Sequence, residues 1–80
     1  MGINKEVINR INQLLAEQNL TANALAYKSG ISQSTIKSIL NSESVNPGIV
    51  TIKKLCDGFE ISIVDFFNTS NFSNLGQEMK

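Results

Sequence analysis

Ala26 and Gly30, four residues apart and framed by Leu25, Ile31, Ile36 and Ile39, restrict this chain more than any other feature. A small residue at 26 lets a second helix approach closely. Glycine at 30 takes positive φ at a helix end without the steric cost another residue would meet. The four branched apolar residues then lock two short helices across the turn. Helical hairpins in general do not need this order of small, glycine and branched positions. The stretch therefore predicts a helix over 22–29, a turn, and a second helix over 32–41 that projects at a steep angle while braced by the first.

The flanking sequence supplies the rest of an all-α chain. Ile3, Val7, Ile8, Ile11, Leu14 and Leu15 recur at steps of three and four, which predicts an amphipathic first helix over 4–18. Asn19 is a plausible left-handed stop, Leu20 a buried anchor, and Thr21 an N-cap for the next helix. Ser32 is a second N-cap, opening a helix in which Ile36, Ile39 and Leu40 point one way and Gln33, Ser34, Lys37, Ser38 and Asn41 point elsewhere. Residues 42–48 read as a loop, and Ile49, Ile52, Leu55, Cys56 and Phe59 define a fourth helix. That helix ends at Glu60 or, a turn earlier, at Gly58. Ser62 followed by Asp65 marks a short fifth helix over 62–68 burying Ile63 and either Phe66 or Phe67.

From residue 69 the chain turns to Thr, Ser and Asn, interrupted by Phe72, Leu75 and Met79. This tail is either a frayed terminus or a short amphipathic segment that docks on its own domain or on a second copy. The domain plan is thus one unit over 1–68 and a tail over 69–80. Eighty residues allow one compact core.

Composition narrows the function. The chain is 41% hydrophobic and 18% charged, and its longest uninterrupted apolar run, Ala24 to Tyr27, is far short of a bilayer span. The N-terminus lacks the layout of a secretion signal and the single Cys56 cannot form an internal disulfide, so a cytoplasmic location and no membrane partner are expected. With no histidine, no second cysteine and no clustered carboxylate pair, neither a metal site nor an activated nucleophile can be assembled, so no enzyme activity and no cofactor are expected. Cys56 falls on the apolar stripe of the fourth helix and reads as a core residue. Net charge is zero, which taken alone argues against nucleic acid. The distribution argues otherwise: Lys28, Lys37, Lys53 and Lys54 face only Glu43 within residues 21–56, whereas Asp57, Glu60, Asp65 and Glu78 face only Lys80 beyond them.

Together these positions resemble the Cro/CI-type, or xenobiotic-response-element-type, helix-turn-helix domains of bacterial and phage repressors. The likeness is carried by Leu20-Thr21, Leu25-Ala26, the run from Ser29 to Ile36, Asn46-Pro47, Leu55, and Ile61-Ser62 to Phe67, and covers residues 4–67. It implies a compact five-helix, lambda-repressor-like domain whose third helix enters the DNA major groove, and a homodimer on a palindromic operator. By the same resemblance, Gln33, Ser34, Lys37 and Ser38 would read bases. Thr21, Ala22, Asn23, Lys28, Asn41, Ser42 and Ser44 would contact phosphates, those of Ala22 and Asn23 through their amides. A glutamine amide matches the paired acceptor and donor of adenine, and a serine hydroxyl can serve either polarity. Phe59, Ile61, Phe67, Phe72 and Leu75 are the candidates for a dimer surface.

The pattern has departures. Ala22 stands where the family commonly has a glutamine that buttresses the reading helix and touches a phosphate. Leu15 and Gln18 stand where many members carry Arg or Lys, and Glu60 stands where a glycine usually follows helix four. Weak non-specific binding and a shallow salt dependence are therefore expected. The leading expectation is a sequence-specific transcriptional regulator, a repressor without a small-molecule ligand. The alternative is a protein-interaction module on the same scaffold.

Overall fold

The structure is a computed structural model that describes residues 2–42 and 46–76. Among these residues it holds six helices: α1 (Ile3–Gln18), α2 (Ala22–Ser29), α3 (Gln33–Asn41), α4 (Ile49–Phe59), α5 (Ile63–Phe67) and α6 (Ser70–Ser73). The first five stand where the periodicity and caps put them. The sixth goes beyond the five expected and has a simple cause: after α5 the chain folds back and the Phe72 ring meets Phe67 edge-on at 4.9 Å and lies 6.3 Å from Phe66. Phe66 and Phe67 are themselves edge-to-face at 4.9 Å, so three aromatic rings tie α6 to α5, and α6 also lies against α1. Met79 and the end of the tail lie outside the described residues.

Each junction uses local chemistry visible in the chain. Thr21 accepts from the Ala24 amide at 3.0 Å, Ser32 from the Thr35 amide at 3.2 Å and Ser62 from the Asp65 amide at 2.9 Å, each satisfying one of the orphan donors of a helix start. α1 and α4 end alike. Asn19 and Glu60 adopt the left-handed conformation, and the next amides, Leu20 and Ile61, reach back to the carbonyls of Leu15 at 2.8 Å and Cys56 at 3.0 Å. Glu60, not Gly58, is thus the residue that ends α4. Gly58 lies inside the helix and is buried there.

The core is built from Val7, Ile11 and Leu14 of α1, Leu25 and Ala26 of α2, Ile36 and Ile39 of α3, Ile52, Leu55, Cys56 and Phe59 of α4, and Phe66 of α5. Phe66 is the buried member of the aromatic pair and Phe67 is half-buried. Cys56 is fully enclosed, and burial, helped by the neighbouring Asp57 charge, pushes its thiol pKa up from the ordinary 9.0. The one arginine acts as a clamp: the Arg10 Nε donates to the Phe66 carbonyl at 2.7 Å and Nη2 to the Asp65 carbonyl at 2.8 Å, while Nη1 donates to Gln13 at 2.9 Å. α5 has no room for a full intrahelical ladder, and the guanidinium takes up two of its terminal carbonyls.

Candidate nucleic-acid interface

α2 and α3 meet across Ser29-Gly30-Ile31. Gly30 sits at φ 74°, and its amide donates to the Ala26 carbonyl at 3.0 Å. The Ser29 side chain points inward, donating to Ala26 at 3.4 Å and accepting from the Ile31 amide at 3.3 Å, so the turn's own backbone is bonded within the motif. Behind α2 lies α4, at a distance set by Gly58. A Cβ placed on Gly58 would stand 3.0 Å from Ser29 Cβ and 3.2 Å from both Ser29 Cα and Leu25 Cδ1. The two helices touch at the level of backbone, which is why the position is glycine.

This bracing presents α3 as an exposed rod. Ile36 and Ile39 are buried and Leu40 half-buried, while Gln33, Ser34, Thr35, Lys37, Ser38 and Asn41 are all exposed. The four residues expected to read bases, Gln33, Ser34, Lys37 and Ser38, therefore share one surface. That surface also carries Ser32 and Thr35, which the sequence reading passed over except as a cap. Ser32 Oγ donates to Thr35 Oγ1 at 2.9 Å and stands 3.3 Å from Ser34 Oγ. The signal was present in the run of four side chains with polar tips from Ser32 to Thr35; what was invisible was that three of them touch.

The residues expected at phosphates are less uniform. Thr21 and Asn23 are exposed at the start of α2, and Ala22 is half-buried. Thr21 caps the Ala24 amide, which leaves the Ala22 and Asn23 amides at an uncovered helix start that favours an anion. Lys28 is drawn away to Glu60 at 3.1 Å, and Lys53 pairs with Asp57 one turn on in α4. Lys37 and Lys54 have no acidic partner among the described residues. Asn41 is exposed and Ser42 half-buried at the far end of α3, whereas Ser44 lies outside the described residues. Gln18, one of the departures from the usual basic pattern, donates from Nε2 to the Phe59 carbonyl at 2.9 Å and so serves the end of α4.

Of the dimer candidates, Phe59 is corrected by the structure. It is 1% exposed and belongs to the core, because α4's apolar stripe turns it inward beneath the left-handed Glu60. Ile61, Phe67, Phe72 and Leu75 keep part of their surface, and Phe67 and Phe72 lie together. Val64, one turn from Phe67 on α5, is 73% exposed and was missed, since a five-residue helix is too short to show its phase in sequence. No helix among the described residues is long and apolar enough to cross a membrane.

Two helices locked across a glycine turn, the second standing out with a wholly polar face, define a helix-turn-helix protein. The comparisons give the family: residues 10–71 match the Cro/C1-type HTH DNA-binding domain, and the chain belongs to it. Among solved structures it is similar to the prophage Lp1 protein 11, with 33% sequence identity and a TM-score of 0.80 over 92% of this chain and 99% of that one. No curated protein matches the chain.

Proposed function

We propose that this chain is a sequence-specific transcriptional regulator, a repressor that binds a palindromic operator as a homodimer with α3 in the major groove. The reading is carried by one observation: α3 keeps Ile36 and Ile39 in the core and turns every other side chain but the half-buried Leu40 outward as uncharged polar groups and one lysine. Such a face has donors and acceptors for base edges, and little else to do. Gln33, Ser34, Lys37 and Ser38 are the proposed base readers. Thr21, the Ala22 and Asn23 amides, Lys28, Asn41, Ser42 and Ser44 are proposed to hold phosphates. A protein of this kind acts by occupying its site, hence repression.

Pairing through Ile61, Phe67, Phe72 and Leu75 is proposed to place two copies of α3 about one turn of DNA apart, roughly 34 Å. The test of the whole reading is selection of bound duplexes from a random library. An enriched palindrome, lost in Gln33→Ala/Ser34→Ala while the fold and assembly persist, supports it. A protein that is only monomeric at high concentration by light scattering removes the dimer.

A second reading has its own support. Tyr27 stands 91% exposed on α2, and two of the four central lysines are tied to carboxylates of this same chain. Both suit a surface that meets another protein. Absence of any enriched sequence from a folded sample would favour this reading.

A further inference from the structure

The three hydroxyls at the start of α3 have a hydrogen-bond direction that can be worked out by counting. A serine hydroxyl has one proton to give and two lone pairs to fill. Ser32 Oγ gives its proton to Thr35 Oγ1 at 2.9 Å and accepts the Thr35 amide at 3.2 Å. One lone pair remains, and among the described residues the only other group in reach is Ser34 Oγ at 3.3 Å. Since Ser32's proton is already committed, that contact closes only if Ser34 is the donor. The protons therefore run one way, from Ser34 to Ser32 to Thr35. Ser34 is left with lone pairs alone facing outward, and Thr35 keeps the one proton of the three that no group among the described residues receives.

We infer that Ser34 reads its base only as a hydrogen-bond acceptor, and so selects a base with an exocyclic amine, adenine or cytosine, on the strand it touches. In the major groove the amines of adenine and cytosine are donors, whereas guanine and thymine offer acceptor oxygens at the corresponding edge. A free serine would take either; this one has its proton withheld. Thr35 is a positioning residue in this scheme. By accepting from Ser32 it keeps Ser32 from donating to Ser34, and so fixes the polarity of a neighbour it does not itself touch. The inference rests on the proposal that α3 enters the groove.

The test is selection of bound duplexes by the full chain and by Ser34→Ala, Thr35→Val and Thr35→Ser, each checked for an unchanged helical melt. In the parent protein one position should favour adenine or cytosine over guanine or thymine by roughly three- to tenfold, the size of one net hydrogen bond. That preference should vanish in Ser34→Ala. Thr35→Val keeps the side-chain shape but removes the acceptor for Ser32's proton, which then turns to Ser34 and frees Ser34 to donate. The same position should admit all four bases in this variant and return to adenine or cytosine in Thr35→Ser. Because every pair carries one amine-bearing and one oxo base, the contact is assigned with analogue duplexes: at a Ser34-dependent A·T pair, binding should fall when purine replaces adenine and hold when thymine loses its O4. The reverse result overturns the inference, as does a Thr35→Val profile identical to the parent's. So does an enriched sequence that Ser34→Ala leaves untouched at every position. A folded protein that enriches nothing removes the groove reading itself, and this inference with it, a result distinct from the other three.

Discussion

Glu60 occupies a backbone region where a side chain with a Cβ costs about 1–2 kcal/mol, at φ 60° and ψ 41°. Its carboxylate recovers little, since the pair with Lys28 lies at the surface with Glu60's side chain 76% exposed. Glu60→Gly removes the strain, gives back part of it as the larger backbone entropy of glycine, and is expected to raise the melting temperature by about 2–5 °C for a domain of this size. A lower melting temperature would show that Glu60 is not strained. Gly58, two residues earlier, predicts the opposite sign. An added methyl would gain about 1 kcal/mol in helix propensity, but it would press on the Cα of Ser29, which moves only if α2 moves. Overpacking of this kind costs about 1–3 kcal/mol, so Gly58→Ala is expected to lose stability in a urea titration. The sequence showed Gly58 as a possible stop because a glycine near a helix end reads that way; its partner, Ser29, is far off in the chain and carries no sign of the contact.

At the scale of elements, α1 to α4 were legible because each is long enough to show its apolar period and is bounded by a recognisable stop or cap. Thr21, Gly30, Ser32 and Ser62 take the roles their residue types suggest. α5 and α6 were harder. With five and four residues they offer barely one helical period, and α6 lacks a side-chain cap. The polar clamp on α5 was not legible at all: Arg10 bonds to backbone carbonyls, and a carbonyl has no residue type for a sequence to display. The candidate reading face was legible for the same reason as the helix that carries it, while the hydroxyl chain upon it needed coordinates. Arg10→Met keeps the stem and removes the charged donors. It is expected to cost about 1.5–3 kcal/mol, visible as a lower urea midpoint, and to speed amide exchange first in α5 and α6. Equal loss of protection in every helix would argue against a local clamp.

Across the whole molecule, charge is spent internally before it is offered outward. Arg10 is bound to carbonyls, and Lys28 and Lys53 are matched by acids, which leaves Lys37 and Lys54 as the central cations without an acidic partner among the described residues. If the proposed dimer binds DNA, two to four cations per protomer give a slope of log affinity against log salt of roughly −4 to −7. A slope steeper than about −9 would mean that cations outside the four central lysines, such as Lys5 or Lys80, also reach phosphate. Affinity is then left to base contacts and to the pairing of copies.

The backbone-level contact between α2 and α4 at Gly58 separates two jobs that many proteins mix. The side chains that hold α3 in place, Ile36 and Ile39, are disjoint from those it displays, Gln33, Ser34, Lys37 and Ser38. The outward set can therefore be exchanged as a block without disturbing the mount. Under the proposed reading, such a chain is an interchangeable reading head: rewriting four exposed positions would redirect it to a new site, and the melting temperature would not register the change.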